Sequence, residues 1–225
     1  MKKAGTDSLK SRVCGAVLVA ATGCAAGSKL QAQIPAYEGK SPSIVSKGKQ
    51  TAVLGGGCFW GVEAVFRRIK GVKTVTVGYS GGTAASAKYE VVSSGKTGHA
   101  ESVEITFDLS QVSYDQLLRV FFSVAHNPTE LNRQGPDEGT QYRSVIFYAD
   151  EDQKQVALAY IDQLNKARVF PGPIVTQVVP LKAFYPAEAY HQDYLEHHPD
   201  NPYIVVNDLP KVQKLKKEYP ALCKR

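Results

Sequence analysis

Apolar residues repeat along the chain with two periods, and their boundaries predict an order of elements before any chemistry is considered. Thr51-Ala52-Val53-Leu54 is a short apolar run ending on Gly55-Gly56-Gly57, the pattern of a buried strand that runs into a sharp turn. Cys58 follows directly. From there Phe59, Val62, Val65, Phe66 and Ile69 recur at helical spacing, with Glu63, Arg67, Arg68 and Lys70 on the other side, until Gly71 stops the run. Val72 to Tyr79 alternates as a strand, Ser80-Gly81-Gly82 turns, and Val103 to Phe107 alternates again. Ser113 with Gln116 makes a capping box for a helix reaching about Ala125, and Ser144 to Tyr148 is a strand. Asp150 with Gln153 caps a helix to about Arg168, Ile174 to Val179 reads as a strand, and Ala187 to Glu196 as a helix. The core order β-α-β-β-α-β predicts an α/β (α+β) fold, a two-layer sandwich with a ferredoxin-like split βαβ core, to which a strand, helices and a long C-terminal tail are added.

Composition narrows the class. With 225 residues, 43% of them hydrophobic and 21% charged, the chain has material for one ordinary domain plus a tail, and it contains no apolar run of the roughly 18 residues that a spanning helix needs. Of the net charge of +6, residues 1–32 hold +4. The basicity is therefore N-terminal, with a second run at Lys211, Lys214, Lys216, Lys217, Lys224 and Arg225, and no aromatic platform accompanies either run, so nucleic-acid binding is not expected.

The N-terminal charge belongs to a leader. A basic stretch up to Arg12 precedes an apolar segment, Val13 to Ala21, and then Thr22-Gly23-Cys24. A small residue directly before a cysteine suits lipoprotein processing at Cys24; simple cleavage after Ala32 and an uncleaved or organelle-directed leader are the alternatives. An exported protein is expected, periplasmic or membrane-anchored through lipidated Cys24. Residues 1–32 are assigned to this leader, 33–50 with Pro35, Pro42 and several Ser and Gly to a linker, 51–208 to the folded domain and 209–225 to a basic tail.

Without the leader, Cys58 and Cys223 are the cysteines left. A structural disulfide between them is one reading. The other starts from the place of Cys58 at a helix N-terminus, where unpaired N–H groups and the helix dipole favour a thiolate, so this cysteine is expected to react. A phosphate-cradling loop is the competing reading for the glycines, but no Gly-Lys-Ser/Thr follows. Two loops gather further chemistry: residues 88–101, with Tyr89, Glu90, His99 and Glu101, and residues 126–143, too long for a passive connection.

Six segments together carry a resemblance: Gly57-Cys58-Phe59-Trp60-Gly61, Gly78-Tyr79-Ser80-Gly81-Gly82, Thr97-Gly98-His99-Ala100-Glu101, Asn132-Arg133-Gln134-Gly135-Pro136-Asp137, Gly139-Thr140-Gln141-Tyr142-Arg143-Ser144 and Tyr190-His191-Gln192. In this order, across about residues 50–210, the chain resembles the A-type peptide methionine sulfoxide reductases (MsrA). The resemblance implies reduction of the S-epimer of methionine sulfoxide, free or in oxidised proteins, by a monomer with no bound cofactor or metal and with thioredoxin or a similar dithiol as electron donor. It implies that Cys58 attacks the sulfoxide sulfur and becomes a sulfenic acid, that Glu101 supplies a proton, and that Tyr89 and Tyr142 bind the sulfoxide oxygen. Phe59 and Trp60 then wall a pocket for the substrate methyl group, and Asp137 helps to bind substrate. The chemistry is consistent with these residue types, because a sulfoxide sulfur is a poor electrophile until its oxygen is protonated or hydrogen-bonded.

Cys223 is the candidate to resolve the sulfenic acid as a disulfide, against the reading of a surface thiol with direct reduction from outside. The tail departs from the family's flexible, glycine-containing end: Pro210 to Tyr219 is lysine-rich and of helical pattern. Asn127 stands where the family more often has aspartate. His191, His197 and His198 near Glu188, Asp193 and Glu196 have no usual zinc spacing, and a Cys58–His99 hydrolase lacks an orienting third member. Met1 is the only methionine, which suits an enzyme working among oxidants. A thiol peroxidase and a noncatalytic binder of methionine-containing segments are the alternatives from other classes.

Overall fold

A computed structural model describes residues 34–39 and 49–224. The leader and most of the linker lie outside the described residues. The elements run β1 (Lys49–Gly55), α1 (Phe59–Arg67), β2 (Val72–Ser80), α2 (Tyr89–Val92), β3 (Ala100–Asp108), α3 (Tyr114–Val120), β4 (Arg133–Gln134), β5 (Asp137–Glu138), β6 (Val145–Tyr148), α4 (Glu151–Lys166), β7 (Gln177–Pro180), β8 (Phe184–Pro186), α5 (Tyr194–His197) and α6 (Leu209–Glu218).

Six strands form one sheet in the order β7-β6-β1-β3-β2-β8, in which β6 and β7 are parallel and every other pair is antiparallel. Alternation along the strands sorts their side chains to two faces. Leu54, Val75, Val77, Val103, Ile105 and Ile146 pack with Val62, Val65 and Phe66 of α1, Leu117 and Leu118 of α3, Tyr160 of α4 and Leu215 of α6. The opposite face carries the smaller cluster of Val53, Ala100, Val145 and Phe147. The molecule is thus a mixed α/β body with the main core between sheet and helices.

The caps expected from sequence form. Ser113 N–H donates to Gln116 Oε1 at 3.0 Å at the start of α3, and Gln153 N–H donates to Asp150 Oδ1 at 2.8 Å at the start of α4. Several boundaries differ. The helix expected to run unbroken to Ala125 is α-helical to Val120 and closes in a π-helical turn, Phe121–Ala125. The strand expected over Ile174 to Val179 is Gln177–Pro180, since Val175 N–H is taken by Pro128 O instead. The helix expected over Ala187 to Glu196 is a 3-10 turn, Ala189–His191, followed by the short α5, because Asp193 adopts φ +56 and breaks the run. Strand β8 was not expected.

Both segments read as peripheral are in contact with the body. Over Ile34–Gly39 the proposed linker is tied down: Arg119 donates to Ile34 O at 2.7 Å, Tyr160 to Pro35 O at 2.6 Å and Gln163 to Ala36 O at 2.7 Å. At the other end, residues expected to form a basic tail fold as α6 and a closing turn. Val212, Leu215 and Tyr219 are buried, and Cys223 pairs with Ile69 just beyond α1. An amphipathic helix of this kind buries its apolar stripe and leaves its lysines in water.

Candidate active site

Antiparallel pairing of β1 with β3 determines the site. Leu54 at the end of β1 faces Val103, so the Gly55-Gly56-Gly57 turn leaves the sheet beside the start of β3, where Glu101 stands opposite Tyr79 of β2. Gly57 turns the chain at φ +89, a conformation that a side chain would strain, and a Cβ there would lie 2.5 Å from Gln134. Gln134 also exchanges two hydrogen bonds of 3.0 Å with the Asn127 backbone, so the long 126–143 loop closes over this turn. Asn127 holds that loop from within, its Oδ1 accepting from the Thr129 hydroxyl at 2.8 Å.

Cys58 is the N-cap of α1, and Glu101 Oε2 accepts the Phe59 N–H at 3.1 Å, which binds the carboxyl to the first turn of the same helix. The two reactive side chains are almost enclosed, at 7% and 3% exposure. Burial raises the Glu101 pKa to about 8, with the charges of Asp137 and Asp208 adding to it and the Phe59 N–H opposing. Burial also raises the Cys58 thiol well above its ordinary value, reinforced by Glu101 and Asp208 and opposed by the Trp60 N–H and Lys211. This corrects the expectation of a resting thiolate: desolvation and two nearby carboxyls outweigh the helix N-terminus.

Tyr89 and Tyr142 complete the group. Burial, then Glu101, raises both phenols, and the charge on Cys58 reaches each of them, so thiol, acid and phenols share one site. Tyr89 is held by Glu188, which accepts its N–H at 2.9 Å and the Tyr79 hydroxyl at 2.9 Å. The loop bearing Tyr142 is clamped by Arg143, which donates to Gly98 O, His99 O and Thr140 O at 2.8 to 3.0 Å. Asp137 accepts from the Tyr203 hydroxyl and is raised by burial.

The aromatic residues divide. Trp60 is half-buried, stacked on Tyr194 at 3.7 Å between ring centroids and edge-on to Tyr203, and its indole N–H donates to His191 Nδ1 at 3.2 Å. Phe59 is only 1% exposed and packs against Tyr79 and His191. Its ring is enclosed between α1, β2 and the turn that carries His191. His99 takes no part in proton transfer at Cys58: its Nδ1 accepts the Gly82 N–H at 3.2 Å and its Nε2 lies 3.0 Å from Thr83 O. His126 is likewise used, by Phe121 O and the Ser144 hydroxyl, and burial lowers its pKa to about 3.

Cys223 is not part of this group. Both Cys58 and Cys223 are free. They sit beyond opposite ends of the nine-residue α1, whose length is about 14 Å at 1.5 Å per residue, whereas a disulfide needs Cα atoms within about 7 Å. Its segment is pinned by Lys70 N–H to Leu222 O at 2.7 Å and Lys224 N–H to Arg68 O at 2.8 Å. Neither the structural disulfide nor the resolving disulfide forms in this arrangement. Cys223→Ser is therefore expected to change dithiol-driven turnover less than twofold, with no Cys58–Cys223 peptide found by mass spectrometry after oxidation.

Tyr203, Tyr194, Glu188, Asp208 and Lys211 are site residues that sequence reasoning missed. Asn201-Pro202-Tyr203 and Asp208 with Lys211 carry no distinctive spacing, and Glu188 stands out in the sequence only as an acidic neighbour of the histidines.

A buried thiol, a carboxylic acid that keeps its proton near neutral pH and two phenols define a thiol-dependent oxidoreductase centre. The family model for peptide methionine sulfoxide reductase matches residues 50–222. A Mesorhizobium japonicum protein named peptide methionine sulfoxide reductase MsrA 2 is 61% identical over 175 residues, 78% of this chain and 90% of the relative. Among solved structures, reduced Mxr1 from Saccharomyces cerevisiae aligns at TM-score 0.61 and 30% identity, covering 75% of this chain and 94% of that one. Methionine sulfoxide reductase A of Corynebacterium diphtheriae aligns at 0.59 and 35%, covering 70% and 78%. The chain belongs to the peptide methionine sulfoxide reductase family, in its MsrA branch.

Proposed function

We propose that the chain reduces the S-epimer of methionine sulfoxide, in oxidised proteins and as the free amino acid, through a sulfenic acid on Cys58. The observation that carries this reading is Cys58 at the N-terminus of α1 with the Glu101 carboxyl hydrogen-bonded to the next residue, both enclosed and both raised in pKa. A sulfoxide oxygen must collect two protons to leave as water, and the substrate-free site holds both, one on the thiol and one on the acid. Oε2 accepts the Phe59 N–H, an arrangement that suits a proton on Oε1.

In the first step Cys58 sulfur attacks the sulfoxide sulfur while the oxygen takes the thiol proton and the Glu101 proton and departs as water. Tyr89 and Tyr142 donate to that oxygen as charge builds on it. The resulting sulfur–sulfur bond breaks when water attacks the Cys58 sulfur: methionine leaves with the bonding pair, Cys58 becomes a sulfenic acid, and the released proton returns to Glu101. The substrate sulfur has gained the two electrons that Cys58 sulfur has lost. The stacked rings of Trp60 and Tyr194 support an apolar wall for the methyl group, and the Asp137–Tyr203 hydrogen bond supports a role for that pair in holding the polar part of the substrate.

A thioredoxin-like dithiol is the proposed donor. With Cys223 remote, its first thiolate attacks the sulfenic sulfur and releases water, and its second thiol displaces Cys58 from the mixed disulfide. The basic stretch up to Arg12, the apolar segment Val13 to Ala21 and the small residue before Cys24 support export, with anchoring through lipidated Cys24 or release after simple cleavage. The split βαβ reading of the core is supported by the antiparallel order β6-β1-β3-β2.

The test is turnover of a peptide containing methionine S-sulfoxide with dithiothreitol as reductant. Thioether product is expected from the S-epimer and not from the R-epimer. Peroxide consumption without thioether formation would instead identify a thiol peroxidase.

A further inference from the structure

The turn before α6, together with α6 itself, brings a charged pair against the first turn of the catalytic helix. Asp208 is completely buried, and its Oδ1 accepts from Lys211 Nζ at 3.0 Å; the lysine side chain is 19% exposed. Both groups press on Gly61. A Cβ at that position would overlap Asp208 Oδ1 and lie 2.7 Å from Lys211 Nζ, so glycine there makes room for the pair. Gly61 follows Cys58 by three residues, so Cys58 at the N-cap and the charged pair against Gly61 bear on the same first turn of α1. The cysteine and the ammonium therefore lie along one helical turn, whose pitch is about 5.4 Å.

Stability does not account for this arrangement. An ion pair withdrawn from water returns little more than its desolvation cost, and here Asp208 Oδ2 is buried without any hydrogen-bond partner. Its location against α1 is what distinguishes it.

We propose that Lys211 is a positioning residue for the reaction, held by Asp208 against the first turn of α1 so that its ammonium stabilises the sulfur of Cys58 as negative charge develops there. The inference rests on Cys58 as the nucleophile, but its test needs no sulfoxide, so it can fail while the reductase reading stands, and the reverse. The groups that bear on Cys58 are Glu101 from β3, the Trp60 N–H from α1, and Asp208 and Lys211 from the C-terminal segment; Tyr89, Tyr142 and Tyr203 in turn feel its charge. Lys211 also acts on Asp137 and His126. Glu101 and Asp208 oppose ionisation of the thiol, whereas Lys211 favours it. The two members of the pair therefore have opposite signs, which a packing role would not produce.

The experiment follows alkylation of Cys58 by iodoacetamide in the full chain, read by mass spectrometry of the Cys58 peptide between pH 6 and 9.5. Lys211→Met is expected to slow alkylation about tenfold below the thiol's midpoint, the consequence of losing a nearby opposite charge. Lys211→Arg is expected to restore the rate. Asp208→Asn keeps an oxygen for the lysine but removes the negative charge, so it is expected to accelerate the reaction. Should Lys211→Met lose its circular dichroism signal, Lys211→Gln, which keeps a polar head, takes its place with the same expected slowing. A rate in the neutral variants equal to wild type overturns the proposal, as does a slowing in Asp208→Asn or a failure of arginine to rescue.

Discussion

Cys58→Ser is expected to abolish turnover, lowering the rate of thioether formation by at least about 10⁴-fold while the protein still binds a methionine sulfoxide peptide. The serine hydroxyl is a far weaker nucleophile toward sulfur, and its oxygen cannot pass through a sulfenic acid or be returned by a dithiol. The surrounding structure has little reason to change, because Cys58 makes no side-chain cap bond to α1 and the Phe59 N–H is taken by Glu101. Product is measured by chromatography of a peptide methionine sulfoxide after incubation with dithiothreitol. Turnover above about 1% of wild type would show that another group can accept the oxygen, and the mechanism would fail. Binding that persists without turnover also separates a reductase from a noncatalytic binder, in which the substitution leaves function unaffected.

The second large effect belongs to the acid. Glu101→Gln keeps the shape and an oxygen for the Phe59 N–H but cannot give up a proton to the leaving oxygen, and a loss of about 10² to 10³-fold in turnover is expected. The pH dependence follows from the sign of the shift. Glu101 works protonated and its pKa is raised to about 8, so the wild-type rate is expected to fall as the pH climbs through about 8, and that limb should disappear in the glutamine variant. Stability moves with the same proton. Between the ordinary carboxyl range near 4.5 and about 8 the folded chain binds a proton that the unfolded chain has released, so Glu101 lowers folding stability as the pH rises across this window. Glu101→Gln should thus be less active everywhere and more resistant to urea than wild type at pH 9. A wild-type limb that persists in the variant, or a variant less stable than wild type at pH 9, would assign the proton to another group.

Much of this was legible without coordinates, for identifiable reasons. Strand and helix periods are local, so β1, α1, β2, β3 and α4 could be read from apolar spacing, and a capping box at Ser113 and an N-cap at Asp150 marked the starts of α3 and α4. Boundaries that depend on distant partners were not legible. Ile174 to Thr176 falls outside β7 because the Val175 N–H pairs with Pro128, and the reading of Ala187 to Glu196 as one helix could not anticipate a left-handed Asp193 whose N–H is held by Glu63 at 3.1 Å. The lysine-rich end looked like a solvated tail because its apolar residues are sparse, yet Val212, Leu215 and Tyr219 suffice to seat it on the body.

The site divides along the same line. Cys58, Glu101, Tyr142 and Asp137 sit in dense motifs and Tyr89 in a loop rich in polar groups, whereas Tyr203, Asp208 and Lys211 come from a segment whose composition is that of an ordinary surface helix. By itself, the sequence determined which side chains could supply a nucleophile, an acid and oxygen-facing donors, since those are properties of residue types and short spacings. Only the tertiary structure decided their protonation and reach. Burial beside other carboxyls reverses the effect of a helix N-terminus on the thiol, and a nine-residue helix keeps Cys223 beyond bonding distance. Both outcomes depend on distance and on exclusion of water, which a linear pattern of residues does not encode.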